Sequence, residues 1–273
     1  MNERGDRREV RPPVADGSRR AGSATRPHER MLARRVAVAR ASGRRRLRVF
    51  ITGVVVVGAS AGAFGLAHSS LFSARTVRVT GAVHTTRAAI LAVSALDRAP
   101  PLIDVNAIAD AHAIERLPWI KTASVVVSFP SSVAVSVTER RAVAAVRLAG
   151  RGFALVDATG RVLADAAARP AGIVLVGGLT PLPSPGGSVR GAAGVLATAA
   201  ALPVSLVGRI TVLRFQRGLG IIAELGSSAQ VILGTTADLS AKFVALATVL
   251  NDVSTEGIAT IDLRAPSDPV LTP

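Results

Sequence analysis

Leu117-Pro-Trp-Ile-Lys-Thr-Ala-Ser-Val-Val-Val-Ser-Phe-Pro-Ser-Ser-Val-Ala-Val-Ser-Val-Thr-Glu-Arg140 carries the clearest structural signal in the chain. Ala123, Val125, Val127 and Phe129 occupy every second position. Pro130-Ser131 interrupts the pattern, and Val133, Val135 and Val137 then resume it. A period of two marks strands with one buried face, so the segment predicts a β-hairpin.

Upstream, Leu117-Pro118 stops a short helical stretch running from about Asn106 to Arg116. Pro100-Pro101 breaks the chain before it, and Thr85-Thr86 caps an earlier helical stretch through Leu96 that includes Ile90 and Leu91. Val77 and Val79 alternate with Arg78 and Thr80, a half-buried strand ending at Gly81. The order strand, helix, helix, strand, strand describes a small sheet with helices on one face, residues 70–141.

Further upstream, Val49 to Ala67 contains 19 residues without a charged side chain. As a helix it is roughly 28 Å long, close to the hydrocarbon thickness of a bilayer. Arg44, Arg45, Arg46 and Arg48 precede it, which predicts a cytoplasmic N-terminus and an extracytoplasmic location for everything after Ser69. A cleavable signal peptide is the rival reading, but its leader is short, whereas here 48 residues come first. The expectation is an uncleaved anchor over 49–69. Gly58-Ala-Ser-Ala-Gly62 inside it spells the G-x-S-x-G of a hydrolase elbow. The histidines are His28, His68, His84 and His112, none of them in the C-terminal half where a hydrolase of that order needs one. Ser60 is therefore read as a membrane-helix residue, and Gly58 and Gly62 as anchor positions that permit close helix approach.

Charge is concentrated at the start. The whole chain has a net charge of +15, and residues 1–48 hold 15 arginines against Glu3, Asp6, Glu9, Asp16 and Glu29, a net of +10. The expectation is a disordered cytoplasmic tail that sets topology. Nucleic-acid or anionic-lipid binding is its alternative. There is no cysteine, so disulfides, thiol catalysis and Cys-ligated zinc are excluded.

Downstream, Phe153 to Leu163 reads as a second hairpin turning at Asp157-Ala-Thr-Gly160. Thr180 to Gly187 is a loop by composition, and a helix from about Val189 to Ala201 follows. Strand-like runs come near 210–215, 220–224 and 230–233. Leu239, Phe243, Leu246 and Leu250 mark one face of an amphipathic helix. Gly257 to Arg264 is the last expected strand, leading into a C-terminal tail, 266–273.

The ordered motifs resemble the FtsQ/DivIB family of bacterial cell-division proteins, in an actinobacterial form. The matching residues are Pro118-Trp119-Ile120, Ala123-Ser-Val125, Phe129-Pro130, the Val133/Val135/Val137 alternation and Glu139-Arg140, then Leu155-Val-Asp157 with Gly160. Val127 and Ala142 depart from the family pattern, which often has a basic residue and a proline there. The resemblance implies an α+β fold: a single transmembrane helix, a POTRA domain (β-α-α-β-β) over 70–141, and a mixed β-domain with helices over 142–265. It also implies a bitopic divisome scaffold, enriched at the septum, whose β-domain holds FtsB and FtsL while POTRA helps recruit it.

Pro118, Trp119, Phe129, Pro130, Glu139 and Arg140 are expected to be structural. Trp119 is expected to pack where the second helix meets the sheet, and Glu139-Arg140 to pair across the domain boundary. The partner-binding expectation is an exposed strand edge made of Thr260, Ile261, Asp262, Leu263 and Arg264, with Arg264 meeting an acidic partner group. An interior strand with Asp262 and Arg264 facing solvent is the alternative. Ser240-Ala-Lys242 has poor dyad geometry on a helix, with Lys242 expected on the solvent side. His84 and His112 are read as surface residues. No catalytic set, metal pattern, cofactor motif or small-molecule substrate site is expected, and no nucleic acid. The runner-up function is a membrane-anchored sensor whose basic arm binds nucleic acid. An envelope enzyme ranks third.

Overall fold

The computed structural model describes residues 27–150, 152–226, 229–252 and 257–273; the arm over 1–26 lies outside them. The chain divides into a unit ending at Ala63 and a unit from Phe64 to Pro273.

The first unit is dominated by helix α1, Pro27–Ala67, 41 residues long. Proline is tolerated at a helix start, and arginine, alanine and leucine are good helix formers. The arginine-rich residues from 27 to 48 therefore continue this helix, a correction to the unstructured tail expected there. Arg45–Ala67 is long and apolar enough to cross a membrane. Gly58, Gly62 and Ser60 are exposed on it.

In the second unit, strand β1 (Thr76–Thr80) leads to helices α2 (Arg87–Val93) and α3 (Ala107–Glu115), then to β2 (Ile120–Ser128) and β3 (Ser132–Glu139). Each helix begins at a side-chain cap. Thr86 Oγ1 accepts from the Ala89 N–H (3.2 Å), and Asn106 Oδ1 from the Ala109 N–H (3.0 Å). β3 is central, parallel to β1 and antiparallel to β2. Val125, Val133, Val135 and Val137 face Ile90, Leu91 and Ile114 in one core. Phe129 is a correction, because it leaves this buried face at the hairpin tip, where its ring is exposed.

The chain continues into β4 (Ala142–Arg147), β5 (Phe153–Asp157), β6 (Val162–Ala166) and β7 (Val174–Leu175), ordered β6-β5-β4-β7. Gly160 closes the β5–β6 turn at φ +91°, and its N–H donates to Asp157 O (3.1 Å). Next come α4 (Ala193–Ala201), α5 (Val204–Val207), β8 (Ile210–Gln216), β9 (Gly220–Leu225), β10 (Gln230–Gly234), α6 (Leu239–Asp252), β11 (Thr260–Asp262) and β12 (Val270–Thr272). The second sheet of this part of the chain, after the β4–β7 sheet, runs β12-β11-β10-β9-β8. A parallel bridge from Val176 to Leu213 and the Gly177 N–H to Leu213 O bond (2.8 Å) join β7 to β8. One core serves both sheets, with Leu196 of α4 and Phe243 and Leu246 of α6 against Val156, Leu213 and Ile261.

Lys242 is a further correction. It lies at i+3 from Leu239 and i−4 from Leu246, which puts it on the core stripe of α6. Its side chain is 2% exposed, and Nζ donates to Thr235 O at 2.9 Å. Burial pushes its pKa down, with Asp238 opposing.

Candidate functional site

Two places gather the expected site residues. The first is the C-terminal side of the second sheet. β11 is parallel to β10 on one side and antiparallel to β12 on the other, with Ile261 opposite Leu271 and Asp262 opposite Val270. Thr260 to Asp262 are thus interior to the sheet, and Leu263 and Arg264 leave it in the bend that follows, which corrects the expected edge. Past Arg264 the chain turns at Ala265–Asp268, where the Asp268 N–H donates to Ala265 O (3.1 Å). The Val-Leu-Thr run then pairs back as a strand inside what reads as a tail. Ile261 and Leu263 are fully buried, and Thr260 and Asp262 are half-buried. All three β12 residues are exposed, and among the described residues no strand covers the outer side of β12.

Arg264 is held within its own segment. Its Nη2 donates to Asp262 Oδ2 (2.6 Å), its Nε to the same oxygen (2.9 Å), and its N–H to Oδ1 (3.0 Å). These bonds hold the Asp262 carboxyl below the usual range and raise the guanidinium. The stem of Arg264 crosses Gly234, which ends β10 at φ +71°. A Cβ on Gly234 would come within 2.9 Å of Arg264 Cγ.

The second place is the seam between the β1–β3 module and the β4–β7 sheet. Arg140 spans it: Nη1 donates to Asp157 Oδ2 (2.8 Å) and Nε to Ile120 O (3.0 Å). Asp157 is only 4% exposed, and its Oδ1 also accepts from Thr159 N (2.8 Å), Thr159 Oγ1 (2.7 Å) and Arg161 N (2.9 Å). Burial raises its pKa, but these donors together outweigh burial and hold the carboxyl low. Arg161 reaches the other way, to Arg116 O (2.7 Å) and Pro118 O (3.3 Å), satisfying carbonyls that the end of α3 leaves free.

Trp119 packs on Ala145, Leu155 and Leu163 of the second module, so it sits in the seam, whereas it was expected inside the first. Its ring also stacks on His84, with centroids 3.9 Å apart and planes 4° off parallel. Glu139 accepts from the N–H groups of Val83 (3.0 Å), His84 (3.0 Å) and Thr85 (2.9 Å), and from His84 Nδ1 (2.8 Å). Burial works against its charge, yet these four donors bring the carboxyl to about 2.

Pro118, Trp119 and Arg140 therefore meet at the seam, Glu139 lies beside it with its bonds inside its own module, which corrects the cross-boundary pairing expected of it, and Phe129 and Pro130 lie at the hairpin tip. Asp157 proves to be more than a turn residue, and Asp-x-Thr is a readable Asx-turn signal. Nothing in the sequence singled out Arg161. Among the described residues, no group of three or more His, Asp or Glu side chains is placed to hold a metal ion.

Comparison with known proteins gives consistent matches. A family model described as "POTRA domain, FtsQ-type" matches residues 72–140, and one described as "Cell division protein FtsQ/DivIB, C-terminal" matches 144–264. A cell division protein FtsQ of Streptomyces griseus is 31% identical over 213 residues, covering 75% of this chain and 99% of that protein. One of Streptomyces collinus is 36% identical over 138 residues, covering 50% of this chain and 52% of that protein. Among solved structures, the major extracytoplasmic domain of DivIB (trans isomer) from Geobacillus stearothermophilus is 19% identical. It has a TM-score of 0.30 and covers 43% of this chain and 99% of that one.

Proposed function

Because the chain belongs to the FtsQ/DivIB family of bacterial cell-division proteins, we propose that it is a non-enzymatic, bitopic divisome scaffold. Its N-terminus faces the cytoplasm and its POTRA and β-domains face outward, at the septum. The β-domain captures the FtsB/FtsL pair by strand addition. The observation that carries this reading is the open outer side of β12. Unpaired N–H and C=O groups along a terminal strand accept a partner's backbone, while side chains set register.

In this reading Thr260, Ile261, Asp262, Leu263 and Arg264 back the docking strand. Ile261 and Leu263 fix β11 to the core, so that β12 is presented on a rigid neighbour. Arg264, exposed at the rim, exchanges part of its bond to Asp262 for an acidic group of the partner. Arg45–Ala67 holds the assembly at the membrane.

Proline scanning of β12 tests the capture mode. Of two consecutive residues in a strand, one N–H faces the neighbouring strand and the other faces outward. Leu271→Pro and Thr272→Pro therefore differ. The variant that loses the outward N–H keeps its fold and loses about tenfold in FtsB/FtsL affinity. Full affinity in both variants, each folded by circular dichroism, would reject strand addition at β12.

A further inference from the structure

We propose that the apolar pole at which the chain enters the POTRA domain, made of Leu71, Phe72, Ile103 and Phe129, is a lipid-contact surface seated in the headgroup layer of the membrane that anchors the chain. This rests on reading Arg45–Ala67 as the anchor.

Three segments distant in sequence converge there. The first leaves the span directly: the His68 N–H donates to Phe64 O (3.1 Å), and the Phe72 N–H to Ser69 O (3.1 Å). The second is the β2–β3 hairpin tip, whose Phe129 ring packs edge-on against Phe72, with centroids 6.4 Å apart at 60°. The third is the turn before α3. It is tied to the first by the Ser73–Pro101 bridge, the Ala74 N–H to Pro100 O bond (2.9 Å) and the 3.5 Å approach of His68 Nε2 to Asp104 Oδ1.

The pole is apolar and uncovered. Leu71 is 62% exposed, Ile103 58% and Phe129 68%. Bulky apolar side chains clustered in water mark an interaction site. Chain reach identifies the occupant. Leu71 is four residues past Ala67, and the Ser69 N–H to Leu66 O (3.0 Å) and Phe72 N–H to Ser69 O (3.1 Å) bonds coil that link, so it rises only roughly 6–8 Å. The headgroup layer itself is roughly 5–7 Å thick on each side. Phe129 is fixed at that level by Phe72, and Ile103 by the Pro100 and Pro101 bonds. Asp104, next to Ile103, lies 3.5 Å from His68 Nε2, while Arg75 is exposed three residues past Phe72, where it can meet lipid phosphate. The bilayer interface is the surface that every anchored copy already touches.

The chain has no cysteine, so single cysteines can be introduced and spin-labelled cleanly. The full chain is reconstituted in phosphatidylethanolamine/phosphatidylglycerol vesicles with labels at 56, 103, 129 or 204. Val204 is 80% exposed and serves as the aqueous reference. The expected result is an oxygen-to-nickel accessibility ratio at 103 and 129 roughly threefold or more above that at 204. Labels at 103 or 129 that match 204, while 56 reports hydrocarbon, overturn the proposal and leave the anchor standing. A label at 56 outside hydrocarbon overturns the anchor and the proposal together. Protection at 103 and 129 that appears only when FtsB/FtsL is added assigns the pole to protein and likewise overturns it.

Discussion

The seam and the C-terminal edge are built in opposite ways. At the seam, charged side chains are spent on one another and on backbone: Arg140 on Asp157, Arg161 on the end of α3, Glu139 on three consecutive N–H groups. At the edge, side chains contribute little, and the open groups are the backbone of β12. Side-chain pairing fixes one geometry, because a buried charge tolerates few partners. Open backbone tolerates many sequences and asks only for an extended strand. The proposed scaffold role needs both, one to hold two domains in register and the other to receive a partner.

The largest expected break is at the seam. Asp157→Ala leaves the Arg140 guanidinium without its carboxylate in a mostly buried site, at a cost of about 3–5 kcal/mol. A fall in denaturant midpoint with unchanged m would register it in the full chain, and an unchanged midpoint would show that the seam carries no stability. Glu139→Gln should cost about 2 kcal/mol, since a neutral amide oxygen replaces a charged acceptor of four donors. Its sign with pH is fixed. A folded pKa of about 2 lies below the ordinary 4.5, so the contribution is complete above 4.5 and fades as pH falls toward 2. Acid unfolding of Glu139→Gln should be flatter across that window than that of the parent chain.

Smaller effects separate the two regions further. Arg264→Ala should leave the denaturant midpoint nearly unchanged, because its guanidinium is exposed, yet it should weaken FtsB/FtsL capture a few-fold. Capture unaffected by Arg264→Ala would leave the backbone as the whole of the contact. Lys242→Met should be nearly neutral or stabilising by up to about 1 kcal/mol, since it fills the same stripe and removes a buried amine. Destabilisation above about 2 kcal/mol would mean that the bond to Thr235 O holds the β10–α6 loop.

The fold was legible wherever period and punctuation agreed. Val133, Val135 and Val137 gave β3, Thr86 and Asn106 gave the helix starts, and Asp157 to Gly160 gave a turn. Phe129 was misplaced because alternation alone does not say where a strand ends; the residue beside Pro130 already belongs to the turn. Lys242 was misplaced because its charge outweighed its position. Leu239, Lys242, Phe243 and Leu246 form an i, i+3, i+4, i+7 stripe, which the apolar residues alone leave incomplete. The edge was displaced by one strand because Val270-Leu-Thr272 is too short to announce itself between prolines. Pairing with Ile261 is a tertiary event. Arg161 left no local trace, since its partners, the carbonyls of Arg116 and Pro118, lie in another domain.

The most direct test of the central claim is amide hydrogen exchange of the full chain with and without the FtsB/FtsL pair. New protection is expected at Val270 to Thr272, with the amides of Val83 to Thr85 beside the seam unchanged. Protection at the seam or along β1 to β3, with β12 still exchanging freely, would contradict that claim.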